Sequence, residues 1–229
     1  HRHAGDAIAH DLRSPLTRLR ARLEAAFLEV EAGRGDPTQA LAQALDDTDG
    51  VLKTFAAVLA IARLQAAGQA PDQAVFDPAE LAADIAELYE PLCEDKDIDF
   101  QAELQRGLTV RGNREFLAQA IANILDNAVK YTPAGGAIML RVRRRSSGEV
   151  EWSVTDTGPG VPETDRARVV ERFVRLENSR NEPGSGLGLS LVGAVAEAHG
   201  GRLELDEGPG KVGELGPGLR VALILPRAG

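Results

Sequence analysis

An apolar seam with heptad spacing governs the first third of this chain and limits what it can fold into. Ala9, Leu12, Leu16, Leu19, Leu23, Ala26 and Val30 follow one another at alternating steps of three and four, the period of a helix presenting one stripe to a partner. Gly33-Arg34-Gly35-Asp36-Pro37 then breaks the pattern with strong turn formers. The seam resumes at Leu41, Leu45, Thr48, Leu52, Phe55, Leu59 and Ala62, and Val51, Val58 and Ile61 widen it. Two seamed helices joined by so short a loop form an antiparallel hairpin, which cannot bury both stripes alone. Pairing two copies into a four-helix bundle does bury them, so the pattern predicts a homodimer.

Gly68-Gln69-Ala70-Pro71-Asp72 reads as a linker, and the character of the chain changes after it. Short β-like runs at 73–76, 98–104, 137–142, 150–155, 202–205 and 219–225 mix with helical runs at 78–92, 113–131 and 187–199. The expected class is α+β: a helical hairpin over residues 1–67, the linker at 68–72, and an α/β sandwich over 73–229 with helices on one face of a mixed sheet. The Gly-rich stretch 209–217 suits a long turn between the last two strands.

Composition narrows the function classes. Aromatics are only 4% of the 229 residues, which favours helix-rich architecture, and a net charge of −9 gives a nucleic-acid partner no electrostatic support. Cys93 is the only cysteine, so no intrachain disulfide forms, and no Cys/His cluster offers a zinc site. A reducing, cytoplasmic setting fits one free thiol. No apolar run approaches the roughly 20 residues that span a bilayer, and no signal peptide is visible. The chain opens inside a predicted helix, as a soluble piece of something longer does.

Four segments carry chemistry. In the first, Ala9-His10-Asp11-Leu12-Arg13-Ser14-Pro15-Leu16, the seam positions Ala9 and Leu12 put His10 on the solvent side of the bundle. Asp11 can orient the Nδ1 proton and leave Nε2 free to attack phosphorus. Pro15 removes a backbone donor beside the site and predicts a local bend. In the second, Asn123-Ile124-Leu125-Asp126-Asn127-Ala128-Val129-Lys130-Tyr131, the two asparagines are four apart on one helix face, with Ile124, Leu125 and Ala128 toward the core. Amide oxygens are hard ligands suited to Mg²⁺ on nucleotide phosphates; Lys130 can neutralise phosphate charge and Tyr131 can cover a base. Each of these segments alone reads equally as an ordinary amphipathic helix.

The third, Asp156-Thr157-Gly158-Pro159-Gly160, follows a strand. Its carboxylate can accept from an exocyclic amine such as adenine N6, and Gly158 and Gly160 let backbone approach a flat ligand. A plain Asp/Gly turn is the alternative. The fourth, Gly184-Ser185-Gly186-Leu187-Gly188-Leu189, runs into a helix whose N-terminal amides suit phosphate. It lacks the Gly-Lys-Ser/Thr of a Walker A loop and the βαβ unit of a dinucleotide fold. The polar stretch 175–183 before it suits a lid, with Arg172 and Arg175 at its hinge. His199, at a helix end before Gly200-Gly201, reads as a cap neighbour, and Trp152 as core packing.

In this order the segments resemble the sensor histidine kinases of two-component signalling. Residues 10–16 resemble the phosphoacceptor box, 123–131 the N box, 156–160 and 184–189 the two glycine boxes, and Glu171-Arg172-Phe173-Val174-Arg175 the F box. The resemblance implies a dimerisation hairpin joined to the GHKL-type (Bergerat) ATP-binding fold shared with gyrase, Hsp90 and MutL. ATP would rest with Asp156 on adenine, Asn127 and Asn123 on Mg²⁺, Lys130 on phosphate, and Gly186, Leu187, Gly188 and Leu189 in the cradle. It further implies phosphorylation of His10, transfer to an aspartate of a response regulator receiver domain, and a membrane anchor in a preceding region. The ATPases of this superfamily carry a glutamate four residues before the metal-binding asparagine, to activate water. Asn123 stands there and cannot act as a base, which favours transfer to His10 over hydrolysis. A gyrase-type ATPase and a non-catalytic signalling scaffold are the alternatives. Ser14 stands where the family's phosphatases usually have Thr or Asn, so dephosphorylation of a partner is the less secure activity.

Overall fold

The computed structural model describes the backbone of residues 2–171, 186–211, 213 and 215–228, and within them the side chains from residue 16 onward, Arg18 excepted. Two long helices, α1 (Arg2–Glu31) and α2 (Pro37–Ala67), pack together as the expected hairpin. Between them Gly33 takes a left-handed φ of 69°. Asp36 starts α2 by accepting from the Thr38 amide at 2.9 Å, with Pro37 in the first turn, where a missing N–H costs nothing. Leu19, Ala26 and Val30 are half-buried. Leu16, Leu23, Phe27, Leu41, Leu45, Leu52 and Phe55 remain exposed, with Phe27 at 66% and Leu45 at 68%. One hairpin therefore leaves these large apolar side chains uncovered.

Beyond the linker, β1 (Ala74–Phe76) pairs antiparallel with β3 (Val110–Gly112) in a small ribbon. The main sheet contains β2 (Asp99–Leu104), β4 (Ala137–Arg144), β5 (Val150–Asp156), β6 (Arg202–Glu207) and β7 (Leu219–Leu225). Its spatial order is β2-β4-β5-β7-β6, with β2 parallel to β4 and every other pair antiparallel, the mixed sheet expected. Helices α3 (Pro78–Glu94), α4 (Arg114–Tyr131) and α6 (Gly188–Ala198) pack on it and on one another, and α5 (Glu163–Val169) is a short turn of helix.

Alternation along the strands assigns the faces. Val142, Trp152 and Leu223 lie side by side across β4, β5 and β7, and all are essentially buried. The Trp152 indole donates to the Pro78 carbonyl at the start of α3 at 3.2 Å, so this row faces the helices. Glu151, on the other face, is also fully buried. Burial pushes its carboxyl up, but hydrogen bonds from Arg220 and Arg143 outweigh that and hold it below the ordinary value. The two guanidiniums lie 2.7 and 3.0 Å away. A buried carboxylate persists because it is paired on several sides.

Three features depart from the sequence pattern. β3 and α5 were not predicted: three residues are too few for a period, and α5 carries no apolar stripe. The linker is not loose, since the Ala70 amide donates to Ala198 O at 2.9 Å and Asn113 Nδ2 donates to Pro71 O at 2.9 Å. By length and composition α2 is apolar enough to cross a bilayer, contrary to expectation. Part of that apolarity belongs to a second contact: Thr54, Val58, Ile61 and Leu64 are buried in the last four turns of α2, which pack on α6. Ile61→Ala is expected to lower unfolding free energy by about 2–4 kcal/mol, read from urea denaturation. A loss below about 1 kcal/mol would show that α2 merely rests on α6.

Candidate functional site

Helix α4 is the common wall of the site. Leu117, Ala120, Ile121, Ile124, Leu125 and Ala128 are buried, and burying each large member is worth roughly 1.5–3 kcal/mol. Asn113 caps the helix, its Oδ1 accepting from the Phe116 amide at 3.0 Å, an interaction worth about 1 kcal/mol. With the buried face fixed, Asn123 and Asn127 are left half-buried on the flank toward α6. A β-carbon placed at Gly188 would lie 3.5 Å from Asn127 Nδ2 and 4.0 Å from Asn123 Oδ1. Both amide side chains thus reach the first residue of α6. A longer side chain at position 188 would run into them.

The first amides of α6 have no carbonyl four residues back to bond, and the positive end of the helix dipole lies there. Ser190 turns its hydroxyl onto Leu187 O at 2.9 Å. Leu187 is itself buried, at 1% exposure, and pins this end of the helix to the core. Two amide side chains and the N-terminal end of α6 therefore lie side by side.

Asp156 ends β5 and is 7% exposed. Its Oδ1 accepts from the Gly158 amide at 2.8 Å and the Leu219 amide at 3.3 Å. Burial raises its carboxyl above the ordinary carboxylate value, and those two amides only partly offset the rise. Among the described residues both bonds end on Oδ1, so Oδ2 is the acceptor available to a ligand. Backbone packing at this corner tolerates no side chains. A β-carbon at Gly158 would come within 2.9 Å of Tyr131 O, and one at Gly160, whose φ is +72°, within 2.6 Å of Gly218 O. The loop thereby touches the end of α4.

The structure brings Asn123, Asn127, Gly188, Leu187, Lys130, Tyr131, Asp156, Gly158 and Gly160 to the walls around α4. Lys130 Nζ donates to its neighbour's hydroxyl, Tyr131 Oη, at 2.9 Å and lies 4.5 Å from that ring's centre, a cation–π pair. Gly186 has a φ of +72° at the loop's exit, and Leu189 occupies the first turn of α6. Arg172, Arg175 and Gly184 lie outside the described residues, as do the side chains of His10 and Asp11, although the α1 backbone runs continuously through both. His199 is a structural link: Nδ1 bonds Val195 O at 2.7 Å, and Nε2 accepts from the Asn113 amide at 2.9 Å. Burial holds its pKa down.

Sequence reasoning missed the β6–β7 loop as part of the site. The Gly218 amide donates to Gly158 O at 2.8 Å, and a β-carbon at Gly218 would clash with the Asp156 carbonyl oxygen. The glycine density of 209–217 marked a turn. Nothing in it announced contact with residue 156. Chemically, the walls offer a buried carboxylate for an exocyclic amine, an aromatic flank, two amide oxygens for a hard cation, and a helix N-terminus for phosphate. A nucleoside triphosphate has these groups in this order.

Residues 112–229 match the family described as histidine kinase-, DNA gyrase B-, and HSP90-like ATPase. Over 214 residues the chain is 35% identical to the adaptive-response sensory kinase SasA of Crocosphaera subtropica, covering 89% of this chain and 55% of that one. It superposes on the mycobacterial sensor histidine kinase MprB with a TM-score of 0.59 at 35% identity, over 67% of this chain and 98% of that one. The full-length kinase ShkA in complex with AMPPNP gives 0.65 at 29% identity, over 97% of this chain and 46% of that one. The chain belongs to the sensor histidine kinases of this ATPase superfamily, with a GHKL-type α/β ATP-binding domain. It spans about half the length of its sequence relatives.

Because Asp156 has a raised carboxyl pKa, its ionised form costs the fold stability above that pKa, and the cost vanishes below the unfolded value near 4. Asp156→Asn is therefore expected to match or exceed wild-type thermal stability at pH 7, with the difference shrinking toward pH 4. Its affinity for adenine nucleotide should fall by about ten- to a hundredfold. A variant less stable at pH 7 with unchanged affinity would remove Asp156 from the site.

Proposed function

We propose that the chain is the catalytic region of a sensor histidine kinase, moving a phosphoryl group from ATP to His10 and then to an aspartate on a response regulator receiver domain. One observation carries the reading: Asn127 and Asn123 both reach the start of α6, and neither can deprotonate water. An amide in place of a water-activating carboxylate at position 123 suits transfer to a separate nucleophile. Family membership supplies the rest of the support.

In this reading Asp156 Oδ2 accepts the adenine amine, and Gly158 and Gly160 let the base approach the backbone. The amides of Gly188 and Leu189 hold phosphate oxygens, with Gly186 and Leu187 shaping their approach. Lys130 leaves its contact with Tyr131 to neutralise phosphate charge, while Tyr131 flanks the base. Arg172, Arg175 and Gly184, in the F box and second glycine box, are the further residues proposed to act on phosphate. Among the described residues no cluster of three or more His, Cys, Asp and Glu side chains can hold a metal, so Asn127 and Asn123 offer the oxygens. Two such ligands with phosphates and water suit Mg²⁺, which would neutralise phosphate charge when held there. His10 Nε2 attacks the γ-phosphorus. The new N–P bond replaces the bond to the bridging oxygen, ADP departs, and Asp11 holds the Nδ1 proton.

The exposed stripe of Leu16, Leu23, Phe27, Leu41, Leu45, Leu52 and Phe55 supports a four-helix bundle made with a second copy. Large continuous apolar surface of this kind marks an interface. The same reading divides the chain into a hairpin at 1–67, a linker at 68–72 and an ATP-binding domain at 73–229. Use of ATP and of a receiver domain supports a cytoplasmic location for this region.

His10→Ala should abolish acid-labile labelling from γ-labelled ATP while leaving nucleotide affinity within about twofold, and retained labelling would refute His10 as acceptor. Asn127→Ala should lose Mg·ATP binding. Sedimentation should show a dimer at micromolar concentration, and a monomer there would remove the bundle.

A further inference from the structure

The asparagine pair is only as well placed as the rotation of α4, and one buried side chain from α3 grips that helix at the right turn. Tyr89 is 8% exposed, lying between the buried residues Ile85 and Cys93 on the inner face of α3. Its hydroxyl meets Asp126 Oδ1 at 2.6 Å and Ala122 O at 3.0 Å. Residues 122 and 126 are the two ends of one helical turn, and Asn123 and Asn127 each follow one of them. Successive residues stand about 100° apart around a helix. Fixing 122 and 126 on the α3 side therefore sets the direction of 123 and 127 toward Gly188.

We propose that Tyr89 and Asp126 are positioning residues for the metal-binding asparagines. Tyr89 donates to the Asp126 carboxylate and fixes the rotation of the 122–127 turn, and it keeps the Asp126 charge on the side of α4 away from the phosphates. Burial first, and then the bond to Asp126, hold the Tyr89 hydroxyl protonated far above its ordinary range, so the donor is permanent. The other described polar links from α3 and the turn after it lie elsewhere on α4. Asp84 pairs with Arg114 in the first turn at 2.7 Å, exposed to solvent. Lys96 donates to the carbonyls of Val129 and Lys130 at the far end. Tyr89 alone among these grips the turn that carries both asparagines.

The inference rests on the nucleotide reading above, and its test separates the two. Affinity for ADP is measured by calorimetry with excess Mg²⁺ and again in EDTA, for wild type, Tyr89→Phe, Asp126→Ala, Asp126→Asn and the Tyr89→Phe/Asp126→Ala double variant, with thermal midpoints alongside. Tyr89→Phe and Asp126→Ala should each weaken Mg·ADP binding by about five- to tenfold and change binding in EDTA by less than about twofold. Asp126→Asn keeps an acceptor for the hydroxyl and should restore affinity to within about twofold of wild type, and the double variant should be no weaker than either single one. Equal losses with and without Mg²⁺, following the thermal midpoints, would reduce the pair to ordinary packing and overturn the proposal. So would wild-type Mg·ADP affinity in Tyr89→Phe. Wild-type protein that takes up no nucleotide removes the parent reading, and this inference with it.

Discussion

Everything at the candidate site depends on where α4 comes to rest. Its apolar face is driven into the sheet and against α3 and α6 by burial of Leu117, Ile121, Ile124 and Leu125, and helical geometry then dictates which residues are left on the flank. Asn123 and Asn127 could not face Gly188 unless Ile124 and Ala128 were buried beside them. The glycines act on the other contacts of α4: Gly158 lets the loop after β5 touch Tyr131, and Gly188 lets α6 begin against the asparagines. The site is thus a consequence of core packing, with polar groups occupying positions that the core leaves open.

Two carboxylates on one strand show how environment divides roles. Glu151 and Asp156 both belong to β5 and both are buried. Glu151 is held ionised by hydrogen bonds from Arg220 and Arg143. Asp156 has no arginine beside it among the described residues, only the amides of Gly158 and Leu219, and its pKa rises. Glu151 has its partners within the fold, whereas Asp156 keeps an acceptor atom that the fold leaves for something else. That difference, and not burial alone, makes Asp156 the candidate binding group of the pair.

Local periodicity made much of this legible. The heptad seam gave the hairpin, and the spacing of Asn123 and Asn127 put them on one face, because both statements depend on residues within a turn or two. What escaped the sequence is nonlocal. Gly218 meets Asp156 across 62 positions, His199 reaches the Asn113 amide across 86, and Tyr89 finds Asp126 across 37. The second contact of α2 was hidden for a related reason. Val58 and Ile61 look like a widened seam in sequence, and only the position of α6 shows that they serve a different neighbour. β3 is too short to carry a pattern and exists through its pairing with β1.

If one nucleotide site is assembled on α4, it runs from Asp156 at one end to the start of α6 at the other. A crystal structure of the protein with a non-hydrolysable ATP analogue and Mn²⁺ in place of Mg²⁺ tests it most directly, because the anomalous signal locates the metal independently of the nucleotide. The expected result is Mn²⁺ on Asn127 Oδ1, phosphates on the amides of Gly188 and Leu189, and the adenine amine on Asp156 Oδ2. A metal bound away from both asparagines, or a base that leaves Asp156 untouched, would contradict it.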